Sequence, residues 1–116
     1  MFLELAHTRT DVFRSSKQFV LESYKVTRGF PQEERFAMVQ QIRRAALSTH
    51  LNIAEGCSRK SEAERKRFFE VSRGSIIEVD TAFDIACELA YTKEEELHLL
   101  GLHLISTFKQ LSGLIK

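Results

Sequence analysis

Residues 62–90 read EAERKRFFEVSRGSIIEVDTAFDIACELA, a run of 29 residues with one glycine and no proline. Within it Phe69, Ser72, Ile76, Val79, Phe83, Ala86 and Ala90 follow one another at alternating steps of three and four. That spacing draws a single buried stripe along a helix. At about 100° per residue a second set, Val71, Gly74, Glu78, Thr81 and Ile85, falls on roughly the opposite side. A lone bundle buries one side of each helix and has no use for the other. Two readings follow: a broad apolar face within one subunit, or a subunit interface. The second is the expectation, because Gly74 costs about 1 kcal/mol relative to alanine in a helix interior. Close approach by the backbone of another copy would offset that cost.

Working outward, the breakers are few: Gly29 to Pro31, and the segment Gly56-Cys57-Ser58-Arg59-Lys60-Ser61, which reads as a helix stop followed by an N-cap. Ser61 with Glu64, and Thr92 with Glu95, have capping-box spacing, which marks helix starts. Pro31 suits a first helical position, and Glu33 and Glu34 favour the positive end of the dipole. Helices are predicted near 10–28, 33–55, 62–90 and 93–114. The last has a core row of Leu97, Leu100, Leu104, Phe108, Leu111 and Ile115, with Leu99, Leu102 and Ile105 beside it. Connections this short make neighbours antiparallel, so the expected fold is all-α: one up-down-up-down antiparallel four-helix bundle over residues 1–116.

The composition agrees. With 43% hydrophobic and 28% charged residues in 116, the chain supports one core and not two. No apolar run approaches the roughly 18 to 20 residues that span a bilayer. The opening Met-Phe-Leu-Glu-Leu-Ala-His lacks the basic-then-apolar pattern of a signal peptide. A cytoplasmic protein without membrane contact is expected. Cys57 and Cys87 stand alone and read as reduced, structural thiols.

A net charge of +1 conceals an uneven distribution: residues 35–73 carry nine basic and four acidic side chains, and residues 74–116 carry three and seven. A bundle that turns between its second and third helices gathers Arg59, Lys60, Arg65, Lys66 and Arg67 at one end. Such an end attracts phosphates by Coulomb force and counterion release, with little base reading. The blander reading is a solvated face, with Glu62–Lys66 and Lys66–Glu70 as ordinary i,i+4 pairs. On the second helix Arg43 shares a flank of the core stripe with Phe36, Leu47, His50 and Ala54, whereas Arg44 falls on the polar side with Gln41, Ser48 and Glu55. Arg43 is therefore expected in a buried or interfacial ion pair, with Glu55 and Glu78 as candidate carboxylates. Arg44 is the better candidate for solvent or ligand.

Catalytic and metal chemistry find little support. Glu95-Glu96-Leu97-His98 contains one Glu-x-x-His, where a di-iron bundle needs two copies and further carboxylates. His98 and His103 are five apart, the wrong spacing for two ligands on one helical face. The segment 56–61 lacks the Gly-x-x-x-x-Gly-Lys-Ser/Thr of a phosphate-cradling loop. Asp80 and Asp84 lie one turn apart without a second acidic helix in register. No enzyme activity, metal or cofactor is expected.

Four segments, Phe30-Pro31-Gln32-Glu33-Glu34-Arg35-Phe36, Gln41-Ile42-Arg43-Arg44-Ala45-Ala46-Leu47-Ser48, Asn52-Ile53-Ala54-Glu55-Gly56 and Arg73-Gly74-Ser75-Ile76-Ile77-Glu78, carry a family resemblance. The chain resembles, from about Asp11 onward, the four-helix-bundle proteins encoded in intervening sequences of bacterial large-subunit rRNA genes, long labelled a ribosomal protein family. It is also similar to the accessory variability determinant of diversity-generating retroelements. The resemblance implies a homopentameric barrel with a positively charged surface and, for the retroelement relative, binding to nucleic acid and to a reverse transcriptase. It implies no catalytic residues. The chain departs from the pattern at Thr49-His50, where relatives commonly have Ile-Pro, and at Phe13, where Trp is common. Without that proline the second helix should be less kinked. The expected function is a non-enzymatic homo-oligomer, a pentamer, that binds RNA or DNA through phosphate contacts from Arg44, Arg59, Lys60, Arg65, Lys66 and Arg67. The alternative is a scaffold for an acidic protein partner such as a reverse transcriptase.

Overall fold

Four α-helices account for most of the chain in the computed structural model, which describes residues 1–116: α1 (Asp11–Thr27), α2 (Met38–Ser58), α3 (Glu62–Glu88) and α4 (His98–Ile115). Short 3-10 turns at Ala6–Arg9, Gln32–Glu34 and Glu94–Leu97 precede α1, α2 and α4, and there are no strands. Each helix packs on its sequence neighbours, and α1 closes the ring against α4. Pairing between α2 and α3 is antiparallel, since Gln41 meets Glu78, Ser48 meets Ser75 and the Thr49 carbonyl meets Ser72. The same ordering holds between α1 and α2, where Ser16 meets His50 and Thr27 meets Arg43.

The stripe read from α3 is the core stripe, except at its end. Phe69, Ile76, Val79, Phe83 and Ala86 pack with Phe19, Ile42, Ala46, Ile53, Leu100, Leu104 and Leu111. Ser72 lies among them and donates to the Thr49 carbonyl at 2.7 Å, a bond that ties α3 to α2. Ser23, Thr27, Thr49 and Thr107 are also buried, each donating to a carbonyl of its own helix. These short side chains let helices approach closely without orphaned polar atoms. Through Thr49 and His50 the helix α2 continues unbroken.

Four boundaries differ from expectation, each for a local reason. Helix α2 begins at Met38 rather than near residue 33, because Gln32–Glu34 winds as a 3-10 turn and Ala37 is non-helical. The Glu34 carboxylate then accepts from the Met38 amide at 3.2 Å and from the Tyr91 hydroxyl at 2.9 Å, pinning the α1–α2 turn to the α3–α4 turn. At its other end α2 runs through Gly56 to Ser58. Gly56 is no stop: a Cβ there would lie 2.7 Å from Cε1 of Phe69, so the glycine makes room for a side chain of α3. Helix α3 ends at Glu88 in a Schellman turn, with the Tyr91 amide donating to the Ala86 carbonyl at 2.9 Å and the Ala90 amide to that of Cys87 at 3.0 Å. Ala90 adopts φ 62° there and is exposed, so it leaves the core stripe. Ser61 caps α3 as expected, accepting from the Glu64 amide at 3.0 Å. Helix α4 begins at His98 rather than near residue 93, because Glu94–Leu97 winds as a 3-10 turn; the cap before that turn is shifted by one residue, since Glu96, not Glu95, accepts from the amide of Lys93, and the Thr92 hydroxyl is buried without a partner.

Candidate nucleic-acid interface

The turn between α2 and α3 brings Arg59, Lys60, Arg65, Lys66 and Arg67 to one end of the bundle. Arg59 pairs with Glu55 at 3.0 Å, and Lys66 with Glu62 at 3.4 Å. Exposed pairs of this kind are worth about 1 kcal/mol or less. Lys60, Arg65 and Arg67 form no ion pair and are exposed. Lys60, Arg65 and Lys66 border a cleft of about 290 Å³ whose lining also includes Glu62, Phe69 and Leu114. An aromatic that the sequence reading passed over organises this end. The guanidinium groups of Arg59 and Arg67 lie 4.9 and 5.9 Å from the centroid of the half-buried Phe68 ring. Only the turn brings Arg59 and Phe68 together, which is why spacing along one helix did not reveal the pair.

Arg44 is exposed but apart, since fifteen residues of α2 separate it from Arg59, about 22 Å at the helical rise. It does not belong to the cluster at the turn. Nor does Arg43 make the expected ion pair within the chain. Glu55 is taken by Arg59, Glu78 accepts from Gln41, and both carboxylates are exposed. Arg43 instead donates from Nε to Thr27 Oγ1 at 2.9 Å and from a terminal nitrogen to the Tyr24 carbonyl at 3.2 Å. Its guanidinium lies 4.8 Å from the centroid of the Tyr24 ring. The flank it occupies faces α1, not the carboxylates of α2 and α3.

On the outer side of α3, Val71 and Ile85 are 50% and 47% exposed, and Glu78 and Thr81 are exposed with them. A Cβ at Gly74 would meet nothing within 4 Å, so no backbone of this chain approaches it. Leu99, Leu102 and Ile105 of α4 are also exposed. Between the two helices Ile76, Ile77, Leu104, Ile105 and Phe108 line a cleft of about 260 Å³ flanked by Asp80 and Lys109. Nearby, Arg73 stacks on Phe108 at 4.7 Å, and its Nε is buried without an acceptor.

Burial pushes the Cys57 thiol up, with Arg65 opposing, and pushes the Cys87 thiol up with help from Glu94, Asp84 and Glu88. Both thiols are therefore held protonated near neutral pH. His50 sits 2.6 Å from Ser16 Oγ through Nδ1, and burial, Lys17 and His7 lower its pKa, so the ring is neutral. Ser16 is fully buried, which closes that dyad to any substrate. No group of three or more His, Cys, Asp or Glu residues is placed to hold a metal ion, and no helix is long and apolar enough to cross a membrane.

Fold and surface thus define a four-helix-bundle protein with a cationic cluster at its α2–α3 turn. Residues 8–113 match the family model described as 23S rRNA-intervening sequence protein, and the chain belongs to that family. The fold is also similar to that of a protein of unknown function from the S23 ribosomal protein family of Bacteroides thetaiotaomicron VPI-5482. The TM-score is 0.80 at 21% identity, over 90% of this chain and 98% of that one. No match is found among curated proteins.

Proposed function

We propose that this protein is a homo-oligomer, a pentamer, that binds RNA or DNA through phosphate-backbone contacts from the α2–α3 end. The observation that carries the reading is the trio Lys60, Arg65 and Arg67, exposed at one turn and in no ion pair, with the one carboxylate of their cleft, Glu62, paired to Lys66. One such end is a weak binder. Several copies held side by side repeat it into a rim and make each contact multivalent. The uncovered apolar residues of α3 and α4, and the Arg73 Nε left without an acceptor, support assembly through that side. Arg44, far along α2, contributes a secondary contact.

Fluorescence anisotropy with a labelled RNA and a labelled DNA of mixed sequence tests the proposal, beside sedimentation to read the mass. Affinity should fall steeply and log-linearly with salt and depend little on sequence. The triple variant Arg59→Glu, Lys60→Glu, Arg67→Glu should lose binding while the assembly keeps its mass. Unchanged affinity in that variant rejects the surface. A monomer at micromolar concentration rejects the assembly. A protein partner recovered after nuclease treatment, with no retardation of nucleic acid at low salt, replaces the proposal with the scaffold reading.

A further inference from the structure

At the other end of the bundle, the turn from α1 into α2 builds a second cationic feature that the proposed function does not use. Arg28, Arg35 and Arg43 line one cleft of about 250 Å³, together with Phe30, Pro31 and Gln32. No carboxylate lines it, and none of the three arginines forms an ion pair anywhere in the chain. Arginine stays charged at any pH the fold survives. Three like charges stand around one concavity, walled partly by the buried Phe30 and Val39, and repel one another.

The geometry is specific as well as electrostatic. Arg43 is held on three sides, by Thr27, the Tyr24 carbonyl and the Tyr24 ring. Of its five N–H donors, two are spent on those bonds, and the rest have no acceptor in the chain. A planar fork fixed in this way matches the paired oxygens of a phosphoryl group. Arg28 and Arg35 stand at the exposed rim, the Arg35 guanidinium lying 5.4 Å from the centroid of the Phe36 ring. The cleft is smaller than the roughly 300–1,000 Å³ of sites for drug-sized molecules. It suits a compact, multiply charged group rather than a large cofactor.

We infer that the Arg28–Arg35–Arg43 cleft is a binding site for a compact phosphate-bearing anion, a terminal phosphate or diphosphate group. The site is separate from the α2–α3 end and does not depend on the reading given for it. Its ligand is either a small free phosphate compound or the phosphorylated end of a nucleic acid.

Inorganic pyrophosphate is the probe, titrated at low salt by isothermal calorimetry and by amide chemical shifts. Binding should perturb residues of the α1–α2 turn. Arg28→Gln and Arg35→Gln, both exposed changes with no risk to the fold, should each weaken it by about tenfold, as expected for one charge-assisted contact. Arg43→Lys, checked for native helicity by circular dichroism, should weaken it as much although the charge is kept. The variant Lys60→Gln, Arg67→Gln at the far end should leave it unchanged. Displacement of pyrophosphate by a 5′-phosphorylated oligonucleotide, and not by its 5′-hydroxyl counterpart, supports the site and identifies its source as a nucleic-acid end. Displacement by neither supports it with a small compound as source. Displacement by both, equal weakening in the far-end variant, or no binding at millimolar pyrophosphate overturns the inference.

Discussion

Replacing Gly56 with alanine sets two opposing effects against each other, and the geometry decides which wins. The helix gains at most about 1 kcal/mol, because alanine loses less backbone entropy than glycine. Against this, the new methyl would sit 2.7 Å from Cε1 and 2.9 Å from Cδ1 of Phe69, and 3.2 Å from the Arg65 carbonyl. Phe69 is 2% exposed and its ring is enclosed by the core, so it cannot swing aside. Relief requires α2 and α3 to separate along their most extensive contact. Overpacking of this kind costs about 1–3 kcal/mol, and contacts this short on an enclosed ring belong in the upper half of that range. The net expectation is a loss of about 1–2 kcal/mol, or roughly 4–8 °C in Tm for a chain of this size. Gly74→Ala is the matched comparison: within one chain its methyl meets nothing within 4 Å and would return the propensity gain of about 1 kcal/mol, whereas the assembly proposed above sets another copy against it and removes that gain. Urea and thermal unfolding of both variants, each at several concentrations, make the comparison. A Gly56→Ala protein as stable as its parent refutes the close-approach argument. A loss of stability in Gly74→Ala that grows on dilution places another chain against that position.

Two further outcomes can be read from the same melts. Ala90 holds a left-handed conformation that costs an L-residue about 1–2 kcal/mol, partly cancelled by the entropy glycine would add to the unfolded chain, so Ala90→Gly should stabilise by about 0.5–1 kcal/mol; a destabilised variant contradicts the Schellman assignment. The His50 pKa lies below its ordinary 6.5 in the folded state, by burial first and by Lys17 and His7 second. The unfolded chain therefore binds the proton first, and this residue's contribution to stability is whole above about pH 6.5 and declines as pH falls toward the folded pKa. His50→Gln should flatten that part of the stability profile, and an unchanged profile refutes the assignment.

What was legible in the sequence was whatever periodicity encodes. The α3 stripe from Phe69 to Ala86 and the α4 row from Leu97 to Ile115 were readable because burial repeats at the helical period, and the structure buries them wholly or partly. What escaped depended on residues far apart in the chain. Gly56 beside a polar run looks like a stop, and only the Phe69 ring arriving from α3 shows that it is a point of contact. Arg43 shares a helical flank with apolar residues, which signals a partner but not which one. The partners are the Tyr24 ring and carbonyl and the Thr27 hydroxyl on α1, groups that carry no formal charge to search for. Ala90 gave no signal because glycine is the residue that marks left-handed turns. The cationic α2–α3 turn was legible as composition, whereas its organisation around Phe68 was not.

The two cationic regions differ in a way that a charge-conserving substitution exposes. At the α2–α3 end Arg65 is exposed with no partner holding it, Arg67 lies over the Phe68 ring, and the exposed Arg59 shares that ring while pairing with Glu55. Counterion release counts charges and is indifferent to their shape. Converting Arg59, Arg65 and Arg67 together to lysine should therefore leave polynucleotide affinity and its salt slope within about twofold, since the number of phosphates neutralised is unchanged. In the other cleft Arg43 is clamped, and a lysine there keeps the charge while losing the fork. Binding by charge alone and binding by shape are then separable in one protein. A triple lysine variant that loses polynucleotide binding while Arg43→Lys retains pyrophosphate would reverse the assignment, placing geometric recognition at the exposed end and a mere excess of charge in the cleft.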